Sequence, residues 1–148
     1  MAKGKNQMST SQLLNVIRKS GSFAQVEETF SEMDEQPVFC HYLYEVLNRH
    51  QKSSKSVIED CGIERSYFYH ILNGQKMPSR NVVIRICLCM GATLAETNQL
   101  LRLANQGVLY AKIRRDAAII FCIENHYTMH QTNELLLESH EQPLYREE

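Results

Sequence analysis

Between positions 65 and 73 of this chain crowd six polar side chains that donate hydrogen bonds, and besides Tyr67 they are Arg65, Ser66, Tyr69, His70 and Asn73. A guanidinium fork, a hydroxyl, a phenol, an imidazole and a carboxamide suit base edges and phosphate oxygens. Other chemistries find less support. The chain has no Gly-x-Ser-x-Gly turn, phosphate-binding glycine loop or His-Glu-x-x-His, so no catalytic residue is assigned and no enzyme is expected. Cys122, His126 and His130 stand four apart. A turn expected at His126 and Tyr127 breaks that register and no fourth ligand is evident, so neither a metal nor another cofactor is expected. Cys87 and Cys89 would face different sides of a helix, which argues against a redox pair. With Cys40, Cys61 and Cys122 they make an odd set of five, most of them among apolar neighbours, and read as reduced core residues.

The elements that must hold the donors are legible around them. Ser54 to Gly74, SKSVIEDCGIERSYFYHILNG, reads as two short helices joined by a tight turn, a shape that can lay a helix in the DNA major groove. Ser53 can cap the first helix, Val57, Ile58 and Cys61 form its apolar side, and Gly62 supplies the permissive backbone of the turn. Ile63 plugs the core beneath the turn. Glu64 is a weak cap for the second helix, which Gly74 ends. At about 100° per residue, Phe68, Ile71 and Leu72 cluster on one side. Ser66, Tyr69, His70 and Asn73 are left on the opposite side, with Arg65 at the leading flank.

From about Phe39 to Asn105 the chain resembles the Xre/Cro family of phage-repressor-like helix-turn-helix domains. Val57, Gly62, Ile63, Phe68 and Ile71 meet the family's apolar and glycine positions. Gly74-Gln75-Lys76-Met77-Pro78-Ser79 follows its run of glycine, basic stretch, proline and small polar residue. The chain departs from the pattern at Ile58, where a small residue is usual, and at Glu64, which puts a negative charge at the lip of the recognition helix. The resemblance implies that Ser54, Lys55, Arg65, Ser66, Tyr69, His70 and Asn73 occupy DNA-facing positions. Arg65 would meet a guanine edge, Asn73 or Ser66 adjacent bases or phosphates, and Ser54, Lys55 and Lys76 the DNA backbone.

The net charge is only −1, but it is unevenly spread. From Arg49 to Arg85 seven basic residues stand against three acidic ones, a local net of +4 that leaves −5 for the flanks. Positive charge gathered there is what phosphate contact requires. No apolar run approaches the roughly 20 residues of a membrane span, and the start MAKGKNQMSTSQ lacks the apolar segment of a secretory signal. A cytoplasmic location is expected, with no membrane partner.

The rest of the chain reads as all-α. Residues 1–8 form a polar tail expected to be disordered. Residues 9–36 form an acidic helical pair. Its first helix, from about Thr10 to Ser20, should bury Leu13, Leu14 and Ile17. Its second is opened by Ser22 and Gln25 in capping-box spacing and presents Phe23, Val26 and Phe30. Glu27, Glu28, Glu32, Asp34 and Glu35 lie on its other side. Residues 37–106 form the repressor-like five-helix domain, beginning with a stripe from Pro37 to about Gln51. Residues 107–148 extend it as a helical hairpin.

That hairpin is a duplication. A shift of 35 sets Ser79–Tyr110 on Arg114–Tyr145 with ten of 32 positions identical, among them Arg80/Arg115, Cys87/Cys122, Asn98/Asn133 and Tyr110/Tyr145. In both copies a threonine stands three residues before Glu96 or Gln131, the spacing of a capping box. The segment Asn81 to Cys89, NVVIRICLC, could pass for a buried strand, but its alanine-richer copy reads as helix. Ile119, Ile120, Ile123, Leu135 and Leu136 must pack on the first copy or on another subunit. The function expected is a dimeric, sequence-specific DNA-binding transcriptional regulator with half-sites about one helical turn apart. The alternative is a protein-interaction module that keeps the helix-turn-helix as scaffold, reached through the acidic amino-terminal helices or the carboxy-terminal hairpin.

Overall fold

In the computed structural model, residues 8–33 and 38–146 are described, and among them nine helices and no strand occur. The tail expected at residues 1–8 lies almost wholly outside the described residues, as do Asp34, Glu35 and Pro37. Among the described residues no helix is long and apolar enough to cross a membrane. Contacts divide the chain into two compact units, residues 1–36 and 37–148.

The first unit is a pair of ten-residue helices, α1 (Thr10–Lys19) and α2 (Phe23–Glu32). Ser9 and Gln12 close a capping box on α1, with Gln12 N donating to Ser9 Oγ at 3.1 Å and Ser9 N to Gln12 Oε1 at 2.8 Å. The box expected from Ser22 and Gln25 does not form. Ser22 caps α2 by position only, and Gln25 Oε1 instead accepts from Gly21 N at 2.7 Å. Only Val26 is buried in these helices; Leu14 and Ile17, expected in a core, remain 42% and 44% exposed. Within this unit each short helix offers the other one contact side, so much of each apolar stripe finds no surface inside the unit to close over it.

The second unit holds α3 (Phe39–Arg49), α4 (Ser54–Cys61), α5 (Arg65–Leu72), α6 (Arg80–Met90), α7 (Leu94–Leu103), α8 (Arg114–Glu124) and α9 (Met129–Glu138). α3 packs on α5 and α7, α4 on α6, and α6 on both α7 and α9, while α8 lies against α7 and α9. One core runs through all seven, from Phe39, Leu43 and Val46 through Phe68, Ile71, Ile84 and Leu100 to Ile119, Ile123 and Leu136. The β-branched segment is therefore helical as α6. Ser79 Oγ accepts from Val82 N at its start, and Val83, Ile84, Ile86 and Cys87 are all buried. Eleven residues with neighbours on several sides can bury most of a helix surface, which removes the usual polar stripe.

The duplication is a duplication of hydrogen bonds. Thr93 with Glu96 and Thr128 with Gln131 make complete capping boxes at the starts of α7 and α9. Asn98 Oδ1 accepts from Leu109 N at 2.9 Å, and its counterpart Asn133 Oδ1 from Leu144 N at 2.7 Å. Arg80 Nε donates to Gly107 O and Arg115 Nε to Gln142 O, each at 2.8 Å. The left-handed turns also match, at Gly91 (φ 74°) and His126 (φ 56°), then at Asn105 (φ 59°) and His140 (φ 60°). Ile119, Ile123 and Leu136 of the second copy are buried in the common core, so this hairpin packs on the first copy. Phe121 and Leu137 stay about half exposed.

Candidate nucleic-acid interface

The turn between α4 and α5 follows from its residues. Ser53 Oγ accepts from Ser56 N at 3.1 Å and starts α4. Val57 and Cys61 are its buried members, and Gly62, at φ 63° and ψ 25°, ends it in the left-handed conformation that glycine adopts without steric cost. Ile63 is buried under the turn, and α5 then buries Phe68, Ile71 and Leu72. After Asn73, Gly74 at φ 78° folds the chain back so that Gln75 N and Lys76 N both donate to His70 O, at 2.9 and 3.1 Å. That closure fixes where Lys76 begins.

The outward side of α5 forms a recess of about 640 Å³ lined by Arg65, Ser66, Tyr69, His70 and Asn73, together with Glu64 and Gln75. Five of the eight expected site residues are thus brought to one place. Arg65, Ser66 and Asn73 are exposed, whereas Tyr69 and His70 are half-buried. The Arg65 guanidinium lies 5.7 Å from the centroid of the Tyr69 ring, a cation–π contact that orients both. Lys76 makes the same kind of contact with Tyr67 at 5.7 Å, on a ring that packs at the edge of the core. Ser54 and Lys55 occupy the first turn of α4 outside this recess, Ser54 half-buried and Lys55 exposed.

Glu64 and Gln75 were not among the expected site residues. Glu64 makes no side-chain cap; its carboxylate accepts a hydrogen bond from the Ser66 hydroxyl. Ser66 is therefore already engaged by an acid within the recess. The spacing of Glu64 and Ser66 carried that signal, since a carboxylate two residues before a serine at a helix start can take its hydroxyl. Gln75 enters the recess only through the reversal at Gly74.

The local excess of positive charge is partly consumed within the protein. Arg49 Nη1 lies 3.1 Å from Glu96 Oε2, and His50 Nε2 2.8 Å from Glu96 Oε1. Burial alone would lift the Glu96 carboxyl. The Thr93 N–H and the side chains of His50 and Arg49 outweigh it and hold the group down at about 2. Arg80 is committed to Asp116, and Arg85 donates to Cys61 O at 2.8 Å beneath the Tyr145 ring. Among the described residues, the ion pairs leave out Lys55, Arg65 and Lys76. Arg115, the counterpart of Arg80 in the second copy, is half-buried and holds Gln142 O and Asn81 Oδ1.

No family model matches the chain, and neither a curated protein nor a solved structure does.

Proposed function

We propose that this protein is a sequence-specific DNA-binding transcriptional regulator of the phage-repressor-like helix-turn-helix kind, acting as a dimer and reading the major groove with residues 65–73. The observation that carries the reading is the sidedness of α5. Phe68, Ile71 and Leu72 are buried, while Arg65, Ser66, Tyr69, His70 and Asn73 line one open recess. An eight-residue helix anchored on one side and donor-rich on the other is the element that groove recognition needs. Among the described residues Lys55 and Lys76 stand outside the ion pairs, and they supply cations for phosphate on the flanks.

The test is a gel shift on genomic fragments at low salt with the intact chain, repeated with Lys55→Glu and Arg65→Glu combined. The native chain is expected to retard a subset of fragments and the double variant none. Light scattering of the intact chain should give twice the 17.2 kDa protomer mass.

One observation favours a second reading, a protein-interaction module built on the same scaffold. Glu64 puts a carboxylate into the recess and takes up the Ser66 hydroxyl, which disfavours an anionic ligand there. If neither protein retards any DNA, that reading stands in place of the first.

A further inference from the structure

Two cysteines far apart in sequence meet inside the second unit. Cys61 ends α4, Cys89 lies in the last turn of α6, and their sulfurs are 2.7 Å apart, closer than two unbonded thiols ordinarily pack. Moving to the about 2.05 Å of a disulfide asks only a few tenths of an ångström of each sulfur. The two thiols differ in access. Cys61 is fully buried, whereas Cys89 is partly exposed and borders a recess of about 510 Å³ that also holds Lys52, Asp60 and Met129. Met129 Sδ lies 4.0 Å from Cys89 Sγ, so the sulfur-rich side of α6 continues into α9.

We propose that Cys89 and Cys61 are an oxidisable pair, Cys89 the sulfur that meets a peroxide and Cys61 the one that resolves it. In the first step the Cys89 sulfur attacks one peroxide oxygen. The O–O bond breaks, Cys89 becomes a sulfenic acid, and a molecule of water leaves. In the second step the Cys61 sulfur attacks the Cys89 sulfur. An S–S bond forms, the S–O bond breaks, and the hydroxyl departs as water with the Cys61 proton. The peroxide is reduced and the two thiols are oxidised. The hydrogen bond to Cys89, and burial after it, keep the Cys61 thiol protonated until then. The ring so closed contains all of α5. This chemistry is independent of what α5 contacts.

The intact chain is treated with hydrogen peroxide at a dose that oxidises glutathione in the same tube, quenched in acid, alkylated with N-ethylmaleimide and mapped by peptide mass. A cross-linked peptide joining Cys61 to Cys89, cleaved by dithiothreitol, is expected. The Cys61→Ser chain should gain a dimedone adduct at Cys89 that the native chain lacks. A Cys40→Ser chain should cross-link as the native one does. Cys61 and Cys89 both recovered as maleimide adducts, or a cross-link joining other cysteines, would overturn the proposal. The native peptide map decides this even if a variant fails to fold.

Discussion

Arg80 holds Asp116 in a two-pronged ion pair, Nη1 to Oδ1 at 3.1 Å and Nη2 to Oδ2 at 2.9 Å, and the pair joins the two copies of the duplicated hairpin. Arg115, the counterpart of Arg80, returns the favour to Asn81, the counterpart of Asp116, at 3.0 Å. Each copy therefore extends its arginine to the position after the other copy's arginine. Such reciprocity is what two like surfaces packed about a local twofold produce.

Asp116 is 2% exposed and also accepts from Tyr110 N at 3.0 Å. Asp116→Ala takes the carboxylate from Arg80, which keeps only the carbonyls of Gly107 and Val108, and removes the acceptor of Tyr110 N. Because Arg80 is partly solvated, a cost of about 2 kcal/mol is expected, below the 3–5 typical of fully buried pairs. Urea denaturation of the variant beside the native chain measures it, and a change under about 0.5 kcal/mol would contradict the role assigned to the pair.

Glu96 links stability to pH. Its folded carboxyl sits at about 2, below the ordinary 4.5, so the unfolded chain binds the proton first as pH falls. Its contribution is complete above about pH 4.5 and disappears on the way down to about 2. Glutamine already serves at the equivalent Gln131, where the capping box is intact. Glu96→Gln should thus preserve the helix start while removing the charge and the oxygen that accepts from Arg49, costing about 1 kcal/mol at pH 7 and little near pH 2. Thermal unfolding of both chains across that range shows whether the two curves converge.

The paired turns at Gly91 and His126 predict substitutions of opposite sign. Both residues are left-handed, but only one lacks a side chain. His126→Gly should stabilise by roughly 0.5 kcal/mol, the relief of strain being partly offset by the looser unfolded chain. Gly91→Ala should destabilise by about 1 kcal/mol, although open space surrounds its missing Cβ. Equal effects from the two would sink the equivalence.

On the proposed function, Arg65→Ala should weaken binding to a selected operator by roughly 1–3 kcal/mol and leave random DNA less affected. Lys55→Ala should weaken both alike and reduce the salt dependence by about one unit of slope. Fluorescence anisotropy at several salt concentrations separates the two, and equal loss on random DNA would deny Arg65 a base-reading role. Glu64→Gln should tighten binding by removing the acid that engages Ser66.

Local rules were enough to read most of the helices, because caps, glycines and apolar spacing act over three or four residues; α6, with its β-branched run, needed its second copy. Ser53, Gly62, Thr93 and Thr128 end or begin their helices where those rules put them, and the threefold apolar set on α5 is buried as its spacing requires. The duplication was legible too, since its threonine boxes and arginine positions survive as letters. What sequence reading could not reach were pairings between distant segments. A local rule misled at Ser22, a cap by spacing whose partner Gln25 turns to Gly21 instead, but the larger misses join distant segments. The basic count between Arg49 and Arg85 gave no hint that Glu96 and Asp116 would draw off Arg49 and Arg80. Cys89 lies in the apolar run of α6 and Cys61 between Asp60 and Gly62, 28 positions earlier, and only the packing of α4 on α6 brings their sulfurs together. Spacing along one helix fixes direction around its axis; which charge or sulfur it meets is decided by the element packed against it.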